Sequence, residues 1–126
     1  DVVRASIGYI PRTCAHAGTC GNFVGVDVDG TVSPCCELTV PAEYHLGKLT
    51  EHPLGDLLAG ELMQAFGERR QCGDEYCRGC EWWDYCHGGC VHTRVMAGGP
   101  EQRPPMCEVY RRTFETLVAR IDAALG

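Results

Sequence analysis

The chain has 126 residues, a formal charge of −6 and a pI near 5.3, a length that suits one domain. The acidic balance argues against a nucleic-acid surface, whose affinity rests on clustered Lys and Arg, and no apolar run is long enough to span a membrane as a helix. Sixteen glycines, seven prolines and few aromatics leave a modest core, so the ten cysteines read as the cross-links the fold needs.

Residues 1–22 read as irregular, and the start at Asp1 rather than Met leaves room for a removed upstream segment. With no secretory signal visible, the expected compartment is the cytoplasm. Next comes NFVGVDVDGTVSPCC, where Asp29-Gly30 separates two short β-branched runs. That predicts a hairpin with strands near 23–28 and 31–36, turning at two positive-φ positions. Pro34 fits an edge or a strand end. Residues 44–49 form a connector. Thr50 or Glu51 can cap a helix with Pro53 in its first turn. Leu54, Leu57, Leu58, Leu62 and Phe66 then recur at helical spacing, predicting a helix near 53–67 that Gly55 and Gly60 weaken. Residues 71–107 show almost no periodicity and read as loop. From Glu108, the apolar positions Val109, Tyr110, Phe114, Leu117, Val118, Ile121 and Leu125 predict an amphipathic helix ending at Gly126 and packing on the domain's own core. The basic pairs Arg69-Arg70 and Arg111-Arg112 read as helix-surface charge. The fold class is small α+β and Cys-rich: a β-hairpin, a helix, irregular cluster-binding loops and a C-terminal amphipathic helix.

The cysteines admit three readings. Their even number permits a disulfide framework, but Cys77 and Cys80 are too close to bridge easily and nothing suggests secretion. Structural zinc takes four Cys or Cys/His ligands, often as two close pairs. Cys77-x2-Cys80 is one such pair, whereas the x5 and x3 gaps to Cys86 and Cys90 do not form a second. Cubane iron–sulfur clusters take four thiolates, often with short, uneven gaps. They are wider than one ion, so their ligands converge from several directions. Gly79, Gly88 and Gly89 let backbone approach closely and offer N–H groups to sulfur.

The whole pattern is Cys20-x9-Gly30-x4-Cys35, Cys77-x2-Cys80-x5-Cys86-x3-Cys90 and Cys107. It resembles the seven-cysteine signature of the SPASM domain, the C-terminal two-cluster extension of many radical S-adenosylmethionine (SAM) enzymes. Cys14 stands where the sulfatase-maturing members carry an eighth cysteine. The resemblance spans about residues 14–107. It implies one [4Fe–4S] cluster on Cys14, Cys20, Cys35 and Cys90, and a second on Cys77, Cys80, Cys86 and Cys107. Cys90 then leaves its sequence neighbours for the hairpin's cluster, and neither cluster keeps an open iron for substrate.

Radical SAM chemistry needs Cys-x3-Cys-x2-Cys, and Thr93 stands where Cys86-x3-Cys90 would need its third cysteine. There is also no room for a barrel of roughly 200 residues. Residues 1–126 therefore read as a single SPASM-like domain, with SAM bound only on a separate or missing radical SAM domain. In the sulfatase-maturing relatives an Asp, assigned as the base in substrate oxidation, follows the residue matching Cys35. Here Cys36 takes its place, which argues against a sulfatase maturase; Cys36 is a weak catalytic candidate or a buried small residue. Cys72 reads as a spare thiol. His87 can hydrogen-bond a cluster sulfur or be a plain loop residue, while His16, His45, His52 and His92 read as surface or capping residues. Trp82 and Trp83 can shield a cluster or simply pack. Asp27, Asp29 and Asp74 have turn explanations.

The expected function is auxiliary: two [4Fe–4S] clusters carrying electrons and engaging substrate in a radical SAM enzyme that modifies a peptide or protein. The expected partners are a radical SAM barrel domain or subunit, the peptide or protein substrate and a redox donor or acceptor, with no nucleic acid and no membrane. The acidic shell would favour oxidised clusters and a basic-faced partner. The alternatives are a stand-alone electron-transfer or peptide-binding iron–sulfur protein and a structural zinc domain.

Overall fold

The structure is a computed structural model that describes residues 1–37, 40–68 and 75–126. Arg69, Arg70, Cys72 and Asp74 therefore lie outside the described residues. The expected irregular start contains two short helices, α1 (Val2–Ser6) and α2 (Cys14–Ala17). Both Asp1 carboxylate oxygens accept backbone bonds, from Arg12 N and Thr13 N at 2.9 Å each, which ties the first turn to the start of α2.

The hairpin forms between β1 (Gly25–Val26) and β2 (Thr31–Ser33), with Val26 opposite Val32. Its turn differs from the expected two-residue form. Asp27 N donates to Thr31 O at 2.9 Å and Gly30 N to Asp27 O at 3.0 Å. The loop is thus three residues, a type I turn closed by one left-handed glycine, Gly30, at φ 83°. Asp29 keeps negative φ and instead accepts Thr31 N through its side chain at 2.9 Å. The strands are also shorter than expected, because Pro34 follows directly after Ser33 and cannot donate to the ladder. A third strand, β3 (Gly47–Lys48), lies in the expected connector and pairs antiparallel with β2, so β2 is central in the order β1-β2-β3. Two residues carry too little alternation to announce a strand.

The expected single helix over 53–67 is two: α3 (Leu54–Ala59), with Pro53 at its N-cap, and α4 (Glu61–Glu68). Gly60 adopts an extended conformation (φ −69°, ψ 156°) and breaks the run. Residues 71–107 are less irregular than expected. They hold α5 (Glu75–Arg78), α6 (Trp83–Cys86) and α7 (Val91–Met96). Four- to six-residue helices are too short for a 3.6-residue repeat to emerge in sequence. The expected C-terminal helix is present as α8 (Cys107–Leu125). Only Phe114 of its stripe is buried, and Val109, Leu117 and Leu125 stay exposed.

Two small apolar centres result. One holds Phe66 of α4 with Val91 and Val95 of α7, and Cys20, Cys35 and Tyr44 pack against it. The other centres on Phe114, against which the rings of His16, Trp82, Tyr85 and Tyr110 lie at 5.8–6.1 Å. Helix α1 packs on α8 and α6, and α2 on α6. Each apolar centre borders a different group of cysteines.

Candidate metal centre

The described cysteines are all free thiols, and they fall into two groups. Cys77, Cys80, Cys86 and Cys107 line one cavity, walled otherwise by Tyr76, Trp82, Tyr110 and Phe114 among others. Cys77 and Cys80 come from α5 and the turn after it, Cys86 ends α6 and Cys107 opens α8. Burial pushes the Cys86 thiol up to about 11, and the thiols of Cys107 and Cys80 push the same way, against backbone N–H groups of Gly88 and Gly89. Cys107 is raised by burial too, while Arg103 opposes the shift.

The second group gathers at the end of the hairpin. Cys14 opens α2, Cys35 follows β2 and Cys90 caps α7. Burial raises the thiols of Cys14, Cys20 and Cys35, the last to about 11, and each of the three also feels Cys90. The N–H of Val91 steadies the Cys20 sulfur and that of Glu37 the Cys35 sulfur. Cys36 is exposed beside them, not buried, and acts electrostatically on both Cys14 and Cys35. Thus Cys90, four residues beyond Cys86, acts on the hairpin thiols and is not among the residues that line the cavity.

The two groups meet at a histidine pair. His87 occupies a left-handed conformation (φ 49°) after α6. Its Nδ1–H donates to the His16 carbonyl at 2.5 Å, so the ring ties the Cys86 turn to the Cys14 helix rather than serving as a plain loop residue. His16 is not a surface residue. Its ring meets Tyr110 edge-on at 4.9 Å, burial lowers its pKa, and its buried Nε2 has no hydrogen-bond partner among the described residues. His52 is exposed; His45 and His92 are half-buried, with His45 Nε2 bonded to Val40 O at 3.2 Å. Trp82 lines the cavity and packs on Tyr85 and Phe114.

Two contributors carry little sequence signal. Tyr110 lines the cavity and feels both Cys86 and Cys90, yet in sequence it is one apolar position of a helical stripe. Arg94 is fully buried. Its spacing of four from Cys90 puts it one helical turn beyond that thiol, which was the available clue.

The donor set fits an iron–sulfur group. Four thiols line a largely apolar cavity, three more gather with Cys90 at the hairpin, and backbone N–H groups act on the sulfurs of both groups. Among the described residues no three His, Cys, Asp or Glu side chains converge as a single metal ion requires. Fold and site together define a small cysteine-rich domain built to hold iron and sulfur. The SPASM family, an iron–sulfur cluster-binding domain, matches residues 14–81, and the chain belongs to it. It is 24% identical over 123 residues to the cysteine-type anaerobic sulfatase-maturating enzyme of Clostridium novyi, covering 96% of this chain and 32% of that enzyme. It is 29% identical over 122 residues to the serine-type enzyme of Klebsiella aerogenes, covering 94% and 29%. The solved structure of native anSMEcpe with bound AdoMet and Cp18Cys peptide shares the fold, with a TM-score of 0.73, 22% identity and coverage of 99% of this chain and 36% of that one. The chain thus spans about a third of the length of the curated relatives it matches.

Proposed function

We propose that this chain is the auxiliary module of a radical SAM enzyme that modifies a peptide or protein, and that it holds two [4Fe–4S] clusters. Cys77, Cys80, Cys86 and Cys107 would hold one; Cys14, Cys20, Cys35 and Cys90 the other. The cavity lined by four thiols carries the reading. The named activities of the relatives and the peptide bound in the solved structure support the peptide or protein substrate class. A [4Fe–4S] group, when bound, supplies one-electron transfer.

The chain's own residues do the rest. Four thiols per site give every iron corner a protein ligand, which favours electron transfer over direct substrate ligation. Burial favours the protonated thiols of Cys14, Cys20, Cys35, Cys86 and Cys107, so binding metal there would release protons. Backbone N–H groups of Gly88, Gly89 and Val91 then stabilise sulfur charge. Trp82, Tyr110 and Phe114 keep water from one site.

The test is iron and acid-labile sulfide content with electron paramagnetic resonance (EPR) on the anaerobically reconstituted chain. About eight irons per chain are expected for two cubanes; zinc without sulfide would sink the reading. Pairwise substitution checks the partition. Cys86→Ala with Cys107→Ala should empty one site and leave about four irons. Cys86→Ala with Cys90→Ala should empty both. If the second pair also spares four irons, Cys90 belongs with Cys86 and the ligand sets are wrong.

A further inference from the structure

The geometry points to Arg94 as the residue that makes the two sites inequivalent, by raising the electron affinity of the Cys14, Cys20, Cys35 and Cys90 site. This rests on the ligand reading above. Arg94 has 0% of its surface exposed, where charged side chains are rarely fully buried unless compensated. Its backbone N donates to Cys90 O at 3.2 Å, so it stands one turn beyond a thiol of that site. Its helix neighbours Val91 and Val95 form the apolar centre on which Cys20 and Cys35 pack. One guanidinium nitrogen donates to Pro100 O, which fixes the head of the side chain. The charge is thus buried in the same packed region that Cys20 and Cys35 border.

Such a charge acts on a metal site in one direction. Four thiolates around an oxidised cubane are net anionic, and an added electron increases that charge. A buried cation stabilises the more negative state, so the site beside it accepts an electron more readily. The Cys77, Cys80, Cys86 and Cys107 site also has cations near Cys107, but they face solvent. Arg103 is exposed and lies over the Tyr76 ring at 3.8 Å, while Arg111 bonds the Tyr76 hydroxyl and pairs with the exposed Glu81 at 3.7 Å. Water weakens such interactions about fourfold relative to a partly buried pair. An electron shared between the sites therefore rests on the Arg94 side. A purely structural clamp on Pro100 would have no such effect.

The test compares the full reconstituted chain with Arg94→Lys and Arg94→Gln by EPR-monitored redox titration. Lysine keeps the charge, and glutamine keeps only hydrogen bonding. Arg94→Gln should move one of the two midpoints to lower potential. Arg94→Lys should leave it near the unsubstituted value, and the other midpoint should not move. The midpoint that moves must survive in a Cys107→Ala background, which retains the Arg94 side alone. Loss of that cluster in Arg94→Gln with retention in Arg94→Lys also supports a charge role. Equal shifts, or equal cluster loss, in the two variants overturn it, as does a moving midpoint that vanishes with Cys107→Ala. About four irons in the unsubstituted chain would sink the ligand reading instead.

Discussion

Gly89 shows how tightly single residues are constrained between the two thiol groups. Its φ is 68°, and a Cβ there would stand 3.0 Å from Pro104 Cγ and 3.1 Å from Pro104 Cβ, within a ring that cannot swing aside. Left-handed strain and contact add, so Gly89→Ala should cost about 2 kcal/mol in denaturant unfolding. It should also reduce iron loading, because the Gly89 N–H donates to Cys86 O at 2.9 Å and so holds the turn that carries that thiol. An unchanged midpoint would contradict the close packing of Pro104. His16 gives the opposite expectation. Its buried Nε2 has no hydrogen-bond partner among the described residues, and its ring already packs against Tyr110 and Phe114. Replacing a buried unsatisfied polar group by an apolar ring is neutral or stabilising. The bond from His87 goes to the His16 backbone and survives the change. His16→Phe should therefore leave the unfolding midpoint of the iron-loaded chain level or higher; a loss above about 1 kcal/mol would mean that Nε2 has a partner.

At the level of elements, the three-stranded sheet is fastened by an ion pair that joins the hairpin turn to β3. Lys48 Nζ lies 2.7 Å from Asp29 Oδ2, and Asp29 also accepts Thr31 N. The Lys48 bond first, then Thr31, hold the Asp29 carboxyl well below the usual carboxylate range. A carboxyl whose folded pKa is depressed contributes above its unfolded value of 3.8, and the contribution is lost as pH falls through the folded value. The pair is exposed, so the effect on stability is small. The direct check is an NMR titration of the Asp29 carboxyl carbon. Lys48→Ala should bring its midpoint up toward the normal range; no movement would mean the ion pair does not form in solution. The hairpin was legible because Asp-Gly between β-branched residues specifies a turn. Its length was not, since Gly30 serves equally in a two-residue turn and as the left-handed end of a three-residue one. Likewise the leucines of 54–66 announced helix, and only the extended Gly60 shows where it breaks. Helices α5, α6 and α7 stayed hidden because tertiary packing, not periodicity, stabilises segments so short.

On the scale of the whole molecule, the cysteine groups were far more legible than the frame that carries them. The expected parting of Cys90 from Cys86 came from the resemblance of the cysteine pattern to the SPASM signature. That pattern gave no hint of the Phe114 centre, of the His87 tie to His16 or of the burial of Arg94, which depend on how α2, α6, α7 and α8 pack. That packing is sparse. Phe66, Val91 and Val95 form one apolar centre and Phe114 with its aromatic neighbours the other, and thiols border both. At this size a domain buries well under three-quarters of its unfolded surface, and here the thiol-lined cavity interrupts what apolar packing exists. Metal–thiolate bonds would then supply stability that side-chain packing elsewhere provides. Removing iron with a chelator under reducing conditions should abolish the cooperative thermal transition and the near-ultraviolet dichroism of Trp82 and Tyr110. Much of the far-ultraviolet helical signal should remain, because α8 spans 19 residues. Anaerobic reconstitution should restore both lost signals. A metal-free chain that still melts cooperatively at the loaded chain's temperature would mean that the sparse apolar centres suffice, and that the bound metal serves electron transfer alone.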